Sequence, residues 1–237
     1  MIKFIDKKLS FLGYLRYRNN IKQNNRFFNE YLARAYKHIG SYPSKYLACF
    51  AFDGGTIHII SRGGPEKEEM DCIFYYLEEN NLIKGSALDV GANYGIHSLR
   101  FANHYDQVFS FEPHPAVFKI LDFNVEYNNP KKNISIFNYG ISDTEQMLKL
   151  YDYKDCGISC STFEAQYVKN KEGAYQFECA IKPLDQEQSI KNIKIGLFKI
   201  DVEGHELHVL KGAKAFIEEQ KPVIIIEGLV EPKWCRE

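Results

Sequence analysis

Two carboxylates stand at the ends of short apolar runs, and their spacing suits a grip on a nucleoside. Asp89 lies near the end of Ala87-Leu88-Asp89-Val90, which runs into Gly91-Ala92-Asn93-Tyr94-Gly95. Glu112 closes Val108-Phe109-Ser110-Phe111, 23 residues after Asp89. An acidic residue about 20 positions past a glycine turn is placed to accept both hydroxyls of a ribose. The glycines let the chain bend sharply and let a ligand approach without a Cβ in the way. A third acidic stretch, Asp201-Val202-Glu203-Gly204-His205-Glu206, also follows an apolar run, Ile193 to Ile200.

The type of nucleoside follows from what the turn lacks. A dinucleotide fingerprint needs a third glycine, and Ser98 occupies its place. S-adenosylmethionine carries no phosphate. Its ribose, adenine, zwitterionic tail and sulfonium fit acidic and amide side chains around a glycine turn. A dinucleotide-dependent oxidoreductase is thereby disfavoured. A nucleic-acid methyltransferase would carry an Asn/Asp-Pro-Pro-aromatic box after the fourth strand; none is present, and no nucleic-acid partner is expected.

If the cofactor's methyl group is passed to a hydroxyl, the third acidic stretch offers two routes for activating that acceptor. A positioned His205 or carboxylate, Asp201 or Glu203, could take its proton as general base. Alternatively, Asp201, Glu203 and Glu227 could hold Mg²⁺ or Mn²⁺, which would acidify the hydroxyl directly. Glu206 also suits the positive end of the following helix. His97 and His114 lie beside the cofactor turns, where a structural role is expected. Tyr151, Tyr153, Phe163 and Tyr167 could stack on a sugar ring or pack into the core.

The elements that must position these residues can be read from periodicity. Ile96, Leu99 and Ala102 mark a helix after the glycine turn. Met70, Ile73, Phe74 and Leu77 give the stripe of an amphipathic helix expected to lean on the sheet and cover the crevice. Val117, Ile120, Leu121 and Val125 give another, and Leu207, Leu210, Ala213 and Ile217 a third. Further strands are expected at 134–137, 146–151, 176–182 and 223–226, with 152–175 a loop over the site. Strands alternating with helices predict βαβ units and a mainly parallel sheet. Asp53-Gly54-Gly55 between β-rich runs at 46–52 and 56–60 predicts a hairpin.

The 237 residues suffice for one sizeable domain plus an extension. Residues 1–60 are read as a basic helical and hairpin extension and 61–237 as the catalytic domain. Net charge is −1, but residues 1–40 carry nine basic and two acidic side chains. That asymmetry suggests either a solvated helix face or a docking contact with a partner or membrane surface. No apolar run is long enough to span a bilayer, and the start lacks a signal-peptide core. The six cysteines are scattered, as expected for reduced thiols in a cytoplasmic protein.

Together, Leu88-Asp-Val-Gly-Ala-Asn-x-Gly95, Phe111-Glu-Pro113, Ile141-Ser-Asp143, Leu184-Asp185, Lys199-Ile-Asp-Val-Glu-Gly-His-Glu206 and Val209-Leu-Lys-Gly-Ala213 resemble the FkbM family of S-adenosylmethionine-dependent methyltransferases. The resemblance spans roughly residues 65–230. It implies a Rossmann-like class I methyltransferase fold and O-methylation of a hydroxyl, most often on a carbohydrate or glycoconjugate. It also implies Asp89, Gly91, Asn93 and Gly95 around the methionine moiety, with Tyr94 shaping that pocket. Glu112, followed by Pro113, would hold the ribose, with Ser142 and Asp143 near the adenine. A cofactor-binding module without turnover is the rival reading outside enzymes.

Overall fold

The structure, a computed structural model, describes residues 47–51, 53–62, 64, 66–153, 157–168 and 175–227. The readings for residues 1–46, including the basic docking surface, lie outside them. By internal contacts the chain forms two units, Met1–Tyr42 with His58–Pro65, and Pro43–Ile57 with Glu66–Glu237. The description below concerns the second unit, together with the one helix that runs out of it.

That helix, α1 (Gly54–Arg62), stands where a hairpin was predicted. The reason is local. The Asp53 carboxylate accepts the backbone N–H of Gly55 at 3.0 Å, as a helix N-cap does, so Asp-Gly-Gly starts a helix and does not turn a hairpin.

The main sheet assembles from β1 (Ser86–Val90), β2 (Val108–Phe111), β3 (Ile134–Phe137), β8 (Ile195–Ile200) and β9 (Val223–Ile226). Its order is β3-β2-β1-β8-β9 and every pairing is parallel. Parallel neighbours need crossovers, which the helices supply: α3 (Ile96–His104), α4 (Pro115–Asn128), then α5 (Glu206–Gly212) and α6 (Lys214–Gln220). The order reverses between β1 and β8, and ligands of open α/β sheets bind beyond the strand ends at such a reversal.

Alternation divides the sheet into two faces. Ala87, Val108 and Leu197 pack with Phe74 and Phe101, from α2 (Lys67–Glu79) and α3. Leu88, Val90, Phe109, Phe111, Phe198 and Ile200 pack on the other face with Val209 and Ala213, at α5 and its end. Met70, Phe74 and Leu77 of the predicted stripe are buried, so α2 covers the sheet as its spacing requires. This arrangement is a Rossmann-like α/β fold of the class I type.

A second sheet, in the order β4-β7-β5-β6, joins β4 (Gly140–Ile141), β5 (Gln146–Tyr153), β6 (Gly157–Thr162) and β7 (Gln176–Lys182). Its strand β6 corrects the expectation that 152–175 is loop throughout. β6 pairs antiparallel with β5, Tyr151 opposite Thr162, and carries the chain back toward β8. Among the described residues no helix is long and apolar enough to cross a membrane. Among the described residues, Cys49, Cys72 and Cys179 are thiols outside any disulfide.

Candidate active site

A polar row crosses the middle of an otherwise apolar sheet. Ser110, Asp89 and Lys199 are register partners on β2, β1 and β8, so their side chains share one face. Ser98, on α3 above that face, donates to Asp89 Oδ2 at 2.5 Å and accepts from Ser110 at 2.8 Å. Ser98 therefore anchors the carboxylate from the position where a dinucleotide site would want glycine. Lys199, only 2% exposed, donates to Asp201 Oδ2 at 2.9 Å and lies 3.5 Å from Asp89 Oδ1. Burial alone would lower the Lys199 pKa; the charges of Asp201 and Asp89 outweigh it and push the pKa up. Burial would likewise raise Asp201, yet Lys199 holds it below its ordinary value. The pair, a buried lysine and a half-buried aspartate, is thus charged on both sides.

The glycine turn closes over this row with three left-handed residues, Gly91 (φ 78°), Asn93 (φ 51°) and Gly95 (φ 81°). Asparagine tolerates that region better than most side chains. At Gly91 the requirement is stricter: an added Cβ would lie 1.7 Å from the carbonyl oxygen of Asp201. The turn after β1 and the turn after β8 therefore touch through backbone. Glu112 joins the same turn from β2: its carboxylate accepts the N–H of Asn93 at 2.9 Å and that of His114 at 2.8 Å. Burial raises the Glu112 pKa to about 7, with those N–H bonds opposing the rise. Pro113 follows, its carbonyl and that of Glu112 held by Asn138.

Neighbouring residues brace this region. Tyr94 is buried and donates its hydroxyl to Asp53 at 2.8 Å. Asn124 of α4 binds the Tyr94 carbonyl and both backbone groups of Ala48. His114 caps α4, its Nδ1 accepting from Ala116 and Val117. Its proton is therefore on Nε2, donated to Asp152 at 3.1 Å. His97 lies 3.7 Å from Glu66 and burial lowers its pKa to about 3, so it stays neutral. His114 fills a structural role, as its position suggested, whereas His97 Nδ1 is buried without a hydrogen-bond partner.

The turn after β8 is also left-handed, at Glu203 (φ 51°) and Gly204 (φ 100°). Burial, with Asp201 and Glu206 as like-charged neighbours, raises Glu203 to about 7. Glu227, though exposed at the end of β9, is raised to about 9 by desolvation and by its hydrogen bond to Glu66, with Asp201 adding to the rise. Glu206 turns back to accept the N–H of Gly204 at 2.9 Å, which satisfies it locally. Among the described residues, the oxygens of Asp201, Glu203 and Glu227 do not gather as one cation-binding group. The cation that faces Asp201 in the structure is Lys199, at 2.9 Å.

His205 is buried and both its ring nitrogens are engaged, Nε2 with Ser142 Oγ and Nδ1 with Glu164 Oε1, each at 2.9 Å. Both nitrogens of His205 are thus turned toward protein partners. Ser142 and Asp143 reach this region because α5 ends in Gly212, where a Cβ would meet the Ser142 carbonyl at 1.8 Å. Phe163 packs against His205 at 5.2 Å between ring centres. Tyr151 is half-buried on β5, while the side chains of Tyr153 and Tyr167 lie outside the described set.

Sequence reading assigned no role to Lys199, Glu66, Glu164 or His208. One signal was available for Lys199: a lysine inside Ile-Gly-Leu-Phe-Lys-Ile is too costly to bury without an acidic partner. The other three act through contacts with residues distant in sequence.

Residues 89–231 match the family model described as the methyltransferase FkbM domain. The hexuronic acid methyltransferase AglP of Haloferax volcanii is 29% identical over 172 residues, 70% of this chain and 65% of that protein. Methyltransferase sdnD of Sordaria araneosa is 27% identical over 154 residues, 53% of this chain and 59% of that protein. The chain thus spans less than two thirds of the length of these relatives. A crystal structure of methyltransferase FkbM from Methylobacillus flagellatus KT aligns with TM-score 0.40 at 19% identity, covering 88% of this chain and 49% of that one. With the family model covering well over half of its length, and the acidic tips and glycine turn meeting at the sheet's reversal, this chain belongs to the FkbM methyltransferase family.

Proposed function

We propose that this protein is an S-adenosylmethionine-dependent O-methyltransferase acting on a sugar hydroxyl. The observation that carries the reading is the contact of the glycine turn with the Asp201 backbone, flanked by the buried carboxylates of Asp89 and Glu112. The donor set fits the cofactor. Asp89 Oδ1 faces the Lys199 ammonium at 3.5 Å, so the pair sets a polar, charged floor beneath the glycine turn. The Glu112 carboxylate keeps acceptor capacity beyond its two backbone bonds, as a ribose diol requires. When bound, the cofactor supplies an electrophilic methyl group on a sulfonium. The protein's part is to hold the acceptor oxygen in line and to remove its proton.

Glu203 suits proton removal best. It stands beside the contact with the glycine turn and is poised near neutrality by burial and by two acidic neighbours. The sugar acceptor is supported by the relative named for hexuronic acid methylation, and by Phe163 beside the turn as an apolar surface. Placement of the protein in the cytoplasm belongs to the same proposal.

Calorimetry with S-adenosylmethionine is expected to show stoichiometric binding that Glu112→Ala removes. No binding by the wild type, or equal binding by the variant, sinks the cofactor reading. Binding without methyl incorporation into any glycan pool would favour the non-catalytic module. The kcat profile should rise with pH through about 7 and then level, because Glu203 must be ionised to accept a proton. Glu203→Gln should lose that limb and roughly 10²–10⁴ of kcat; an unchanged profile would remove Glu203 from the role.

A further inference from the structure

We propose that Glu164, His205 and His208 bind one divalent transition-metal ion of the zinc class, at a site distinct from the glycine turn. One ligand atom from each residue lies within 4.8 Å of the other two. His205 and His208 stand three residues apart at the start of α5, so they share a helix face. Their rings are stacked, 4.5 Å between centres and 16° from parallel. Glu164 arrives from the segment after β6 and sets Oε1 2.9 Å from His205 Nδ1. Bonds of about 2.0–2.2 Å to one ion bring neighbouring ligand atoms roughly this close. Two imidazoles and a carboxylate form a donor set that favours zinc, cobalt or iron over magnesium or calcium.

Groups behind the ligands already orient them. A metal on His205 Nδ1 requires the proton on Nε2, and Ser142 Oγ stands 2.9 Å away to accept it. His208 Nδ1 is held at 3.0 Å by Asp143 Oδ2, the carboxylate–histidine arrangement seen behind metal ligands. Ser142 in turn contacts Asp143 at 3.3 Å, so the two supports are linked. The ion would tie the segment carrying Glu164 to α5. Thr162, in the same segment, already donates to the Glu203 carbonyl at 2.7 Å. Metal occupancy would therefore stiffen the acidic turn from behind.

The test uses the full chain, stripped with a chelator and titrated with Co²⁺, then with Zn²⁺ by calorimetry. One equivalent per chain is expected, with visible cobalt absorption of nitrogen/oxygen type. His208→Ala, at a side chain 41% exposed and so tolerant of change, should weaken binding beyond the ~10–100-fold cost typical of losing a supporting group. Asp143→Asn should fall within that range. His104→Ala, which removes a histidine paired with Glu78, should bind as the wild type does. Failure of the wild type to take up stoichiometric metal overturns the proposal. So does a thiolate charge-transfer band, or full affinity in His208→Ala. These readouts do not depend on methyl transfer, so they stand or fall apart from it.

Discussion

Lys199→Met is expected to destabilise the protein by about 3–5 kcal/mol at neutral pH, measured by denaturant unfolding, because removing one partner of a buried ion pair leaves the other uncompensated. Methionine matches the lysine stem in length, so the lost term is electrostatic more than steric. Lys199 is 2% exposed and Asp89 wholly buried, so water cannot replace the ammonium beside Asp89; the Asp201 side chain, 24% exposed, keeps part of its hydration. For a domain whose total stability is about 5–15 kcal/mol, a loss of this size threatens folding itself.

The pH dependence fixes the cause. Asp201 is depressed in the folded protein, so its contribution is present above its unfolded pKa and is lost as pH falls through the folded value. Without Lys199 that depression disappears. The gap between wild type and variant should therefore be widest near neutral pH and narrow in acid. Lys199 itself is raised, so its stabilisation persists at all pH values below its unfolded pKa and is lost only in strong alkali. Adding Asp201→Asn to Lys199→Met should recover part of the loss. A deficit under about 1 kcal/mol, the scale of an exposed pair, would show that the row is not the buried ion pair described.

Gly91→Ala is expected to abolish cofactor binding and to cost several kcal/mol of stability. Two separate penalties act. A left-handed conformation costs an alanine about 1–2 kcal/mol, and φ at Gly91 is 78°. The added Cβ would also sit 1.7 Å from the Asp201 carbonyl, a backbone atom that cannot rotate away. Relief requires β1 and β8 to separate at the point where the site lies, yet Asp201 N is bonded to the Val90 carbonyl at 3.0 Å. Thermal melting and cofactor calorimetry should both report the loss. A variant that melts and binds as the wild type does would mean the two turns are not in contact. Gly91→Ala and Lys199→Met act on opposite sides of one junction, so their effects should be non-additive.

What the sequence settled by itself is the ordering of the chain. Strand, glycine turn, helix and acidic strand end follow from periodicity and turn chemistry over a few residues, and β1, α3, β2, α4, β8 and β9 lie where those signals put them. The spacing of Asp89 and Glu112 is likewise local, because one βαβ unit fixes it. Tertiary structure decided what depends on distant partners. Asp53-Gly54-Gly55 opens a helix because the carboxylate caps it, which competes with the hairpin that the same residues favour. His205 meets Ser142 and Glu164, 63 and 41 residues earlier, through its two ring nitrogens, which no local signal announces. Lys199 reads as one polar residue in an apolar strand; only sheet register shows it lying between two carboxylates. Contacts of this kind arise when the chain closes on itself, and no window of neighbouring residues contains them.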